Sequence, residues 1–164
     1  MALRILAILV IATILTGCGS ASHKPPTTTD FSRDTTVQAD FDSTWSNVVK
    51  WAALNNVPLD KVDKEDGLLS SQRGLAAGGV LDCGEAKGKI AWASAKLESV
   101  TANLNIIVEN SGDRGTTVTM GLFGSGVVAI RNGIGAIISS EQAQCVSTGS
   151  LESSLFNYLH SRGK

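Results

Sequence analysis

The sequence predicts an α+β fold: a two-layer sandwich in which an antiparallel sheet has two helices packed on one face. Three observations carry that expectation. Val100, Ala102, Leu104, Ile106 and Val108 alternate with Ser99, Thr101, Asn103, Asn105 and Ile107, a period of two that makes a strand with one apolar face. After the turn residues Asn110 to Gly115, Val118, Met120 and Leu122 alternate with Thr117 and Thr119, so a second strand returns antiparallel. Two other segments place apolar residues at helical spacing: Phe41, Trp45, Val48, Val49 and Ala52, and later Leu151, Leu155, Tyr158 and Leu159. Each helix has one apolar stripe and the sheet one apolar face, so each buries the other.

In chain order, Thr35 to Phe41 alternates weakly and predicts a short first strand. Asp42 or Ser43 is the expected cap of a helix that Asn55, Asn56 and Pro58 stop. Ser46, Asn47 and Lys50 face away from its apolar stripe. Trp51 lies roughly 120° from the stripe's centre at 100° per residue, and Leu54 lies beyond it. This pair is therefore an expected partner surface, since tryptophan is a frequent interface anchor; the other possibility is that the preceding chain around Phe31 covers both. Val57 to Lys64 and Leu68 to Arg73 predict a short hairpin about Asp66-Gly67. Residues 74–79 and 85–88 read as loops, and residues 90–98 extend the first long strand with Trp92 buried. Gly124 to Ser140 is Gly-rich and apolar. It continues the sheet to about Ile130, and Asn132-Gly133 then turns the chain. Arg131 in its middle, at about 2.5 kcal/mol or more, rules out a membrane-spanning helix there. Ile134 and Ile137 then either fold back to close one end of the core or form a mobile apolar loop that meets a partner or the membrane surface. The last helix starts at Thr148 or Gly149.

The first eighteen residues are of another kind. Arg4 supplies a positive start, Ile5 to Leu15 is an apolar run too short for a comfortable membrane span, and Leu15-Thr16-Gly17-Cys18 follows. This resembles the lipobox of bacterial lipoproteins. The resemblance implies cleavage before Cys18, diacylation of its thiol and acylation of the new amine. Residues 1–17 are then a lipoprotein signal peptide, 18–35 a lipidated N-terminus and flexible tether rich in Ser, Thr and Pro, and 36–164 a single periplasmic domain. Gly19 rather than Asp after the cysteine implies, in a Gram-negative cell, the outer membrane facing the periplasm rather than the inner membrane. The rival readings of the segment are an ordinary signal peptide or an uncleaved anchor.

Charge and cysteine use agree with that address. Fourteen Lys and Arg against fifteen Asp and Glu leave no basic excess to hold nucleic acid. With Cys18 lipidated, Cys83 and Cys145 form an even pair in an oxidising compartment, and a disulfide is expected. A metal site would need more ligands than His23 and His160, the two histidines in the chain, supply. No cofactor is expected.

No catalytic set stands out. His160 near the C-terminus lacks an evident nucleophile and acid. Asp63, Glu65 and Asp66 cluster in a turn and read as solvated. Gly121, Gly124 and Gly126 lack the Gly-Lys-Ser/Thr ending of a phosphate loop. Ser147 and Thr148 read as helix caps, and Glu152 as a charge favourable in the first helical turn.

Phe41-x-x-x-Trp45, Val57-Pro58-Leu59, Gly67-Leu68-Leu69-Ser70, Asp82-Cys83-Gly84 and Cys145-Val146-Ser147-Thr148-Gly149-Ser150-Leu151-Glu152 resemble small uncharacterised lipoproteins of the bacterial envelope. More distantly, the helix followed by short strands is similar to the domains of the C component of the outer-membrane β-barrel assembly machinery. The resemblance brings no catalytic residues. The expected function is a non-catalytic, lipid-anchored interaction or accessory module that meets another envelope protein. The alternative is a periplasmic carrier of a small or lipidic ligand held between helices and sheet. A filled core with exposed apolar residues would favour the first, and a deep apolar cavity the second.

Overall fold

The structure, a computed structural model, describes residues 22–72, 79–87, 89–90 and 93–162. The expected signal peptide, the lipobox with Cys18, and Trp92 lie outside these residues. In chain order the elements are β1 (Ser22–Lys24), β2 (Asp34–Val37), α1 (Phe41–Leu54), β3 (Lys61–Asp63), β4 (Leu68–Ser71), β5 (Leu81–Asp82), β6 (Glu85–Lys87), β7 (Lys89–Ile90), β8 (Ala93–Asn110), β9 (Thr116–Asn132), β10 (Ile137–Ser147) and α2 (Ser150–Arg162). The fold is α+β, with an antiparallel sheet and two helices.

The spine is the β8–β9 hairpin, paired from Ala93 opposite Asn132 to Asn110 opposite Thr116 with one register shift between Glu98 and Thr101. β4 and β7 lie along β8, with β3 outside β4. β2 pairs with β9 from Thr116 to Thr119, and β10 pairs with it from Phe123 to Arg131. β5 closes the order on β10. The alternation read from the sequence sets the layers. Ala102, Leu104, Ile106 and Val108 of β8, with Val118, Met120 and Leu122 of β9, are buried against Trp45, Val48, Trp51 and Ala52 of α1 and Leu155 and Leu159 of α2.

Both helices are bounded by local chemistry. Asp40, not Asp42 or Ser43, caps α1: its Oδ1 accepts from Ser43 N at 2.9 Å and its Oδ2 from Ser43 Oγ at 2.7 Å. Asp42 instead sits in the first turn, where its charge suits the helix dipole. At the other end Val57 N–H donates to Ala52 O and Asn56 N–H to Ala53 O, with Asn56 left-handed at φ 52°. That is the Schellman pattern, with Asn in the place glycine usually takes. α2 starts after Gly149, which has a φ of 79° and lies against Phe31, so that a Cβ there would come within 2.7 Å of its ring. A side chain there would be strained and would strike the ring, so Phe31 docks where this sequence leaves room.

The tether expectation needs correction. Residues 22–24 form β1, which pairs antiparallel with β6: Ser22 opposite Lys87, His23 opposite Ala86 and Lys24 opposite Glu85. β2 likewise begins inside the stretch read as flexible. The short first strand expected from Thr35 is thus present as β2, whereas a three-residue strand such as β1 has no periodicity of its own to read and is defined by its distant partner alone.

Candidate functional site

Beyond Ser99 the hairpin leaves the helices behind. One extra residue of β8 lies between Glu98 and Thr101, and Ser99 is left-handed at φ 54°. This bulge reverses the alternation of β8, so that Ala93 is buried below it and the even-numbered residues above it. A second group of buried residues, Ala93, Val128, Ala129, Ala143, Cys83 and Cys145, lies outside the helix-covered core. Cys83 and Cys145 are joined by a disulfide, as the cysteine count led one to expect. His23 donates from Nε2 to Cys83 O at 2.7 Å, and Asp82 Oδ1 accepts from Gly84 N at 2.7 Å. A Cβ on Gly84 would run into Lys24 O and Pro25. The bridge therefore fastens β10 to the crossing between β5 and β6, with the start of the described chain laid over it. Beside it lies an open cleft of about 430 Å³, lined by Leu81, Asp82, Cys83, Gly84, Leu97 and Val100 among others.

The far end of this half is the β9–β10 turn. The sheet does continue past Ile130 and turn at Asn132-Gly133, but as a built turn in a hairpin, which corrects the closing of the core by Ile134 and Ile137 and the loop conformation alike. Ile134 is 91% exposed, and Ile137 and Ile138 are each more than half exposed, so none closes the core. Nor is the segment a loop. Asn132 Oδ1 accepts from Ile134 N at 3.2 Å and Ala136 N at 2.9 Å, Gly135 N donates to Asn132 O at 2.9 Å, and Asn132 N donates to Ala136 O at 2.9 Å. Arg131 donates to Gly135 O at 2.8 Å and holds Glu98 through Nη2, at 3.0 and 3.1 Å to its two carboxylate oxygens. Asn132-Gly133 signalled the turn. The Arg131–Glu98 clamp left no signal, because its partners are distant in sequence.

Trp51 does not belong to a partner surface. It is 1% exposed, its Nε1 donating to Ser154 Oγ of α2 at 3.2 Å. The helical wheel of α1 shows the side turned to the sheet; it has no place for a second helix packed alongside. Leu54, the other member of that expected pair, is 68% exposed. The sheet face opposite the helices carries Phe123 at 53% exposure and Ile107 at 39%. Phe123 was legible in principle, since it has the parity of Thr117 and Thr119.

The residues considered for chemistry fall apart in space. His160 is exposed, with Nε2 2.9 Å from Thr35 Oγ1. Asp63 accepts from Asp66 N at 3.2 Å and lies 3.4 Å from Lys61 Nζ; the Asp66 bond, then Lys61, hold its carboxyl below the usual range. Gly121, Gly124 and Gly126 are in mid-strand in β9, where no phosphate loop forms. Glu152 is buried: its Oε2 accepts from Ser147 Oγ at 2.9 Å, and Ser147 Oγ accepts from Gly149 N at 3.1 Å. Ser147 thus serves the start of α2 as expected. Among the described residues there is no grouping of three or more metal-ligating side chains, and no helix is long and apolar enough to cross a membrane. No family model matches the chain, and no curated protein or solved structure matches it either.

Proposed function

We propose that this chain is a lipid-anchored accessory module of the bacterial envelope, held at the outer membrane by Cys18 and acting by contact with another envelope protein. The lipobox at Leu15 to Cys18 supports the anchor, and the Cys83–Cys145 bridge suits an oxidising compartment. The observation that carries contact over ligand storage is where the apolar residues lie. The space between helices and sheet is filled by Trp51, Leu69, Leu104, Ile106 and Met120, while Phe123 and Ile107 stand on the uncovered sheet face. A carrier of a lipidic ligand would need the reverse, an enclosed apolar cavity with a polar exterior. The cleft beside the disulfide is open, with Asp82 in its wall.

A photo-crosslinking amino acid at Phe123, in cells that process lipoproteins, tests this. One dominant cross-linked envelope protein is expected, absent when the same group replaces Asp113 in the β8–β9 turn. Equal cross-linking to many proteins from both positions would remove the reading.

A further inference from the structure

We propose that the β9–β10 turn, with Ile134 at its apex and Ile137 and Ile138 beside it, enters the surface of the bilayer that holds Cys18. This rests on the anchored reading above and adds a second, noncovalent membrane contact that fixes how the domain stands.

Chain length carries the argument. Cys18 is four residues from Ser22, a reach of about 14 Å at most whatever its conformation. Ser22 opposes Lys87, β7 begins two residues beyond it at Lys89, and Lys89 opposes Ser94, which opposes Arg131. Two residues of chain separate Lys87 from Lys89, so Ser22 lies at most about 7 Å from the level of Arg131. β1 runs antiparallel to β6, which leads from the Cys83–Cys145 bridge toward Lys89, so Ser22 is the end of β1 nearer the turn. Ile134 is three residues above Arg131, at most about 10 Å. Four residues of chain from Ser22 are thus long enough to bring the anchor to the height of the turn. The β8–β9 turn lies at the other end of two long strands.

The chemistry of the turn suits a lipid surface. Asn132 to Ser140 contains no charged residue. The N–H groups of Asn132, Ile134, Gly135 and Ala136 all have acceptors inside the turn. N–H groups already bonded within the turn lose little on leaving water, which is what a bilayer asks of them. The guanidinium below it is neutralised by Glu98 and tied to the turn's own carbonyl.

The test uses the full, processed protein, taken from the membranes of cells that make it and placed in vesicles of phosphatidylethanolamine and phosphatidylglycerol. Ile134→Cys and, separately, Asp113→Cys carry an environment-sensitive fluorophore; Ile137→Cys repeats the first position. Intact-mass measurement establishes whether Cys18 is acylated. The expected result is several-fold stronger quenching by spin-labelled lipid at Ile134 than at Asp113, and correspondingly weaker quenching by iodide. An acylated protein whose two labels are equally open to iodide overturns the inference and leaves the anchored reading standing. A label at Ile134 shielded from both quenchers means that protein covers the turn, which also overturns it. A Cys18 without acyl chains removes the anchored reading and this one together.

Discussion

Trp51 is buried in the core and bonded to a residue remote in sequence, Ser154 of α2, and the cost of removing it reads out the contact between the helices. Trp51→Ala should lose about 3–5 kcal/mol in urea unfolding, the range for deleting a buried aromatic ring. A loss under about 1 kcal/mol would mean that the two helices do not pack there. Ser147 sits at a second such point. Ser147→Ala leaves a buried carboxylate, Glu152, with neither oxygen hydrogen-bonded, since Oε1 already has no partner among the described residues. The same change takes the acceptor from Gly149 N–H. A loss of about 1–3 kcal/mol is expected, and Ser147→Thr should restore much of it by keeping the hydroxyl. Asp40 gives a pH signature. Hydrogen bonds from Ser43, backbone first and side chain second, hold its carboxyl below the ordinary 3.8. Folding therefore favours the ionised form. Its contribution is full above 3.8 and fades as pH falls through the lowered folded value. Asp40→Asn keeps a good cap that does not titrate, so the part of the acid-induced drop in melting temperature that is due to Asp40 should be absent from that variant. Identical acid profiles for the two proteins would assign the drop to other carboxylates.

At the scale of elements, the bulge at Ser99 decides which way β8 presents its residues. A left-handed β-branched residue is strained by roughly 1–3 kcal/mol, so Ser99→Val should destabilise by about that much, while Ser99→Gly should be neutral or mildly stabilising. Equal stability of all three proteins in denaturant would show that β8 has no such kink in solution. The same bulge marks where the sequence stopped being readable. Between Val100 and Leu122 the alternation is clean because one face is covered by helices and the other by water. The helices were legible for the same reason, each having one buried stripe. Below the bulge both conditions fail. Ala129 is buried on the face opposite the helices, and Ile137 and Ile138 are exposed, so polarity no longer reports the side. β1, β5, β6 and β7 are two or three residues long and exist through pairing alone. The exposed turn was half legible: Asn132-Gly133 announced it, but the strand that returns, Ile137 to Ser147, has too many exposed polar residues for an apolar pattern to show.

The whole molecule is then one long hairpin held by two different means. The half near the β8–β9 turn is held by burial under α1 and α2. In the other half the buried residues among those described are small, and the β1–β6 pair, the His23 bond, the Arg131–Glu98 clamp and the Cys83–Cys145 bridge hold it. The bridge spans 62 residues, and closing a loop of that length removes about 4 kcal/mol of unfolded-chain entropy on the polymer model. Where that stabilisation is felt depends on whether the halves unfold together. If they were one cooperative unit, reduction would lower the protection of every slowly exchanging amide by the same amount. The division of the buried residues argues otherwise. Leu104, Ile106, Val118 and Met120 keep all their neighbours when the bridge is cut, whereas Leu81, Asp82 and the strand from Ala143 to Ser147 lose the covalent link between them. Mild reduction should therefore speed amide exchange first in β1, β5, β6 and β10 and leave Leu104 to Val108 and Val118 to Leu122 slow. The anchored end would loosen while the helical end stayed folded, which is the local, subglobal opening that short strands and few buried contacts permit. Uniform loss of protection across β8 and β9, measured by hydrogen exchange on the reduced protein, would show instead that the bridge supports the helical core as well.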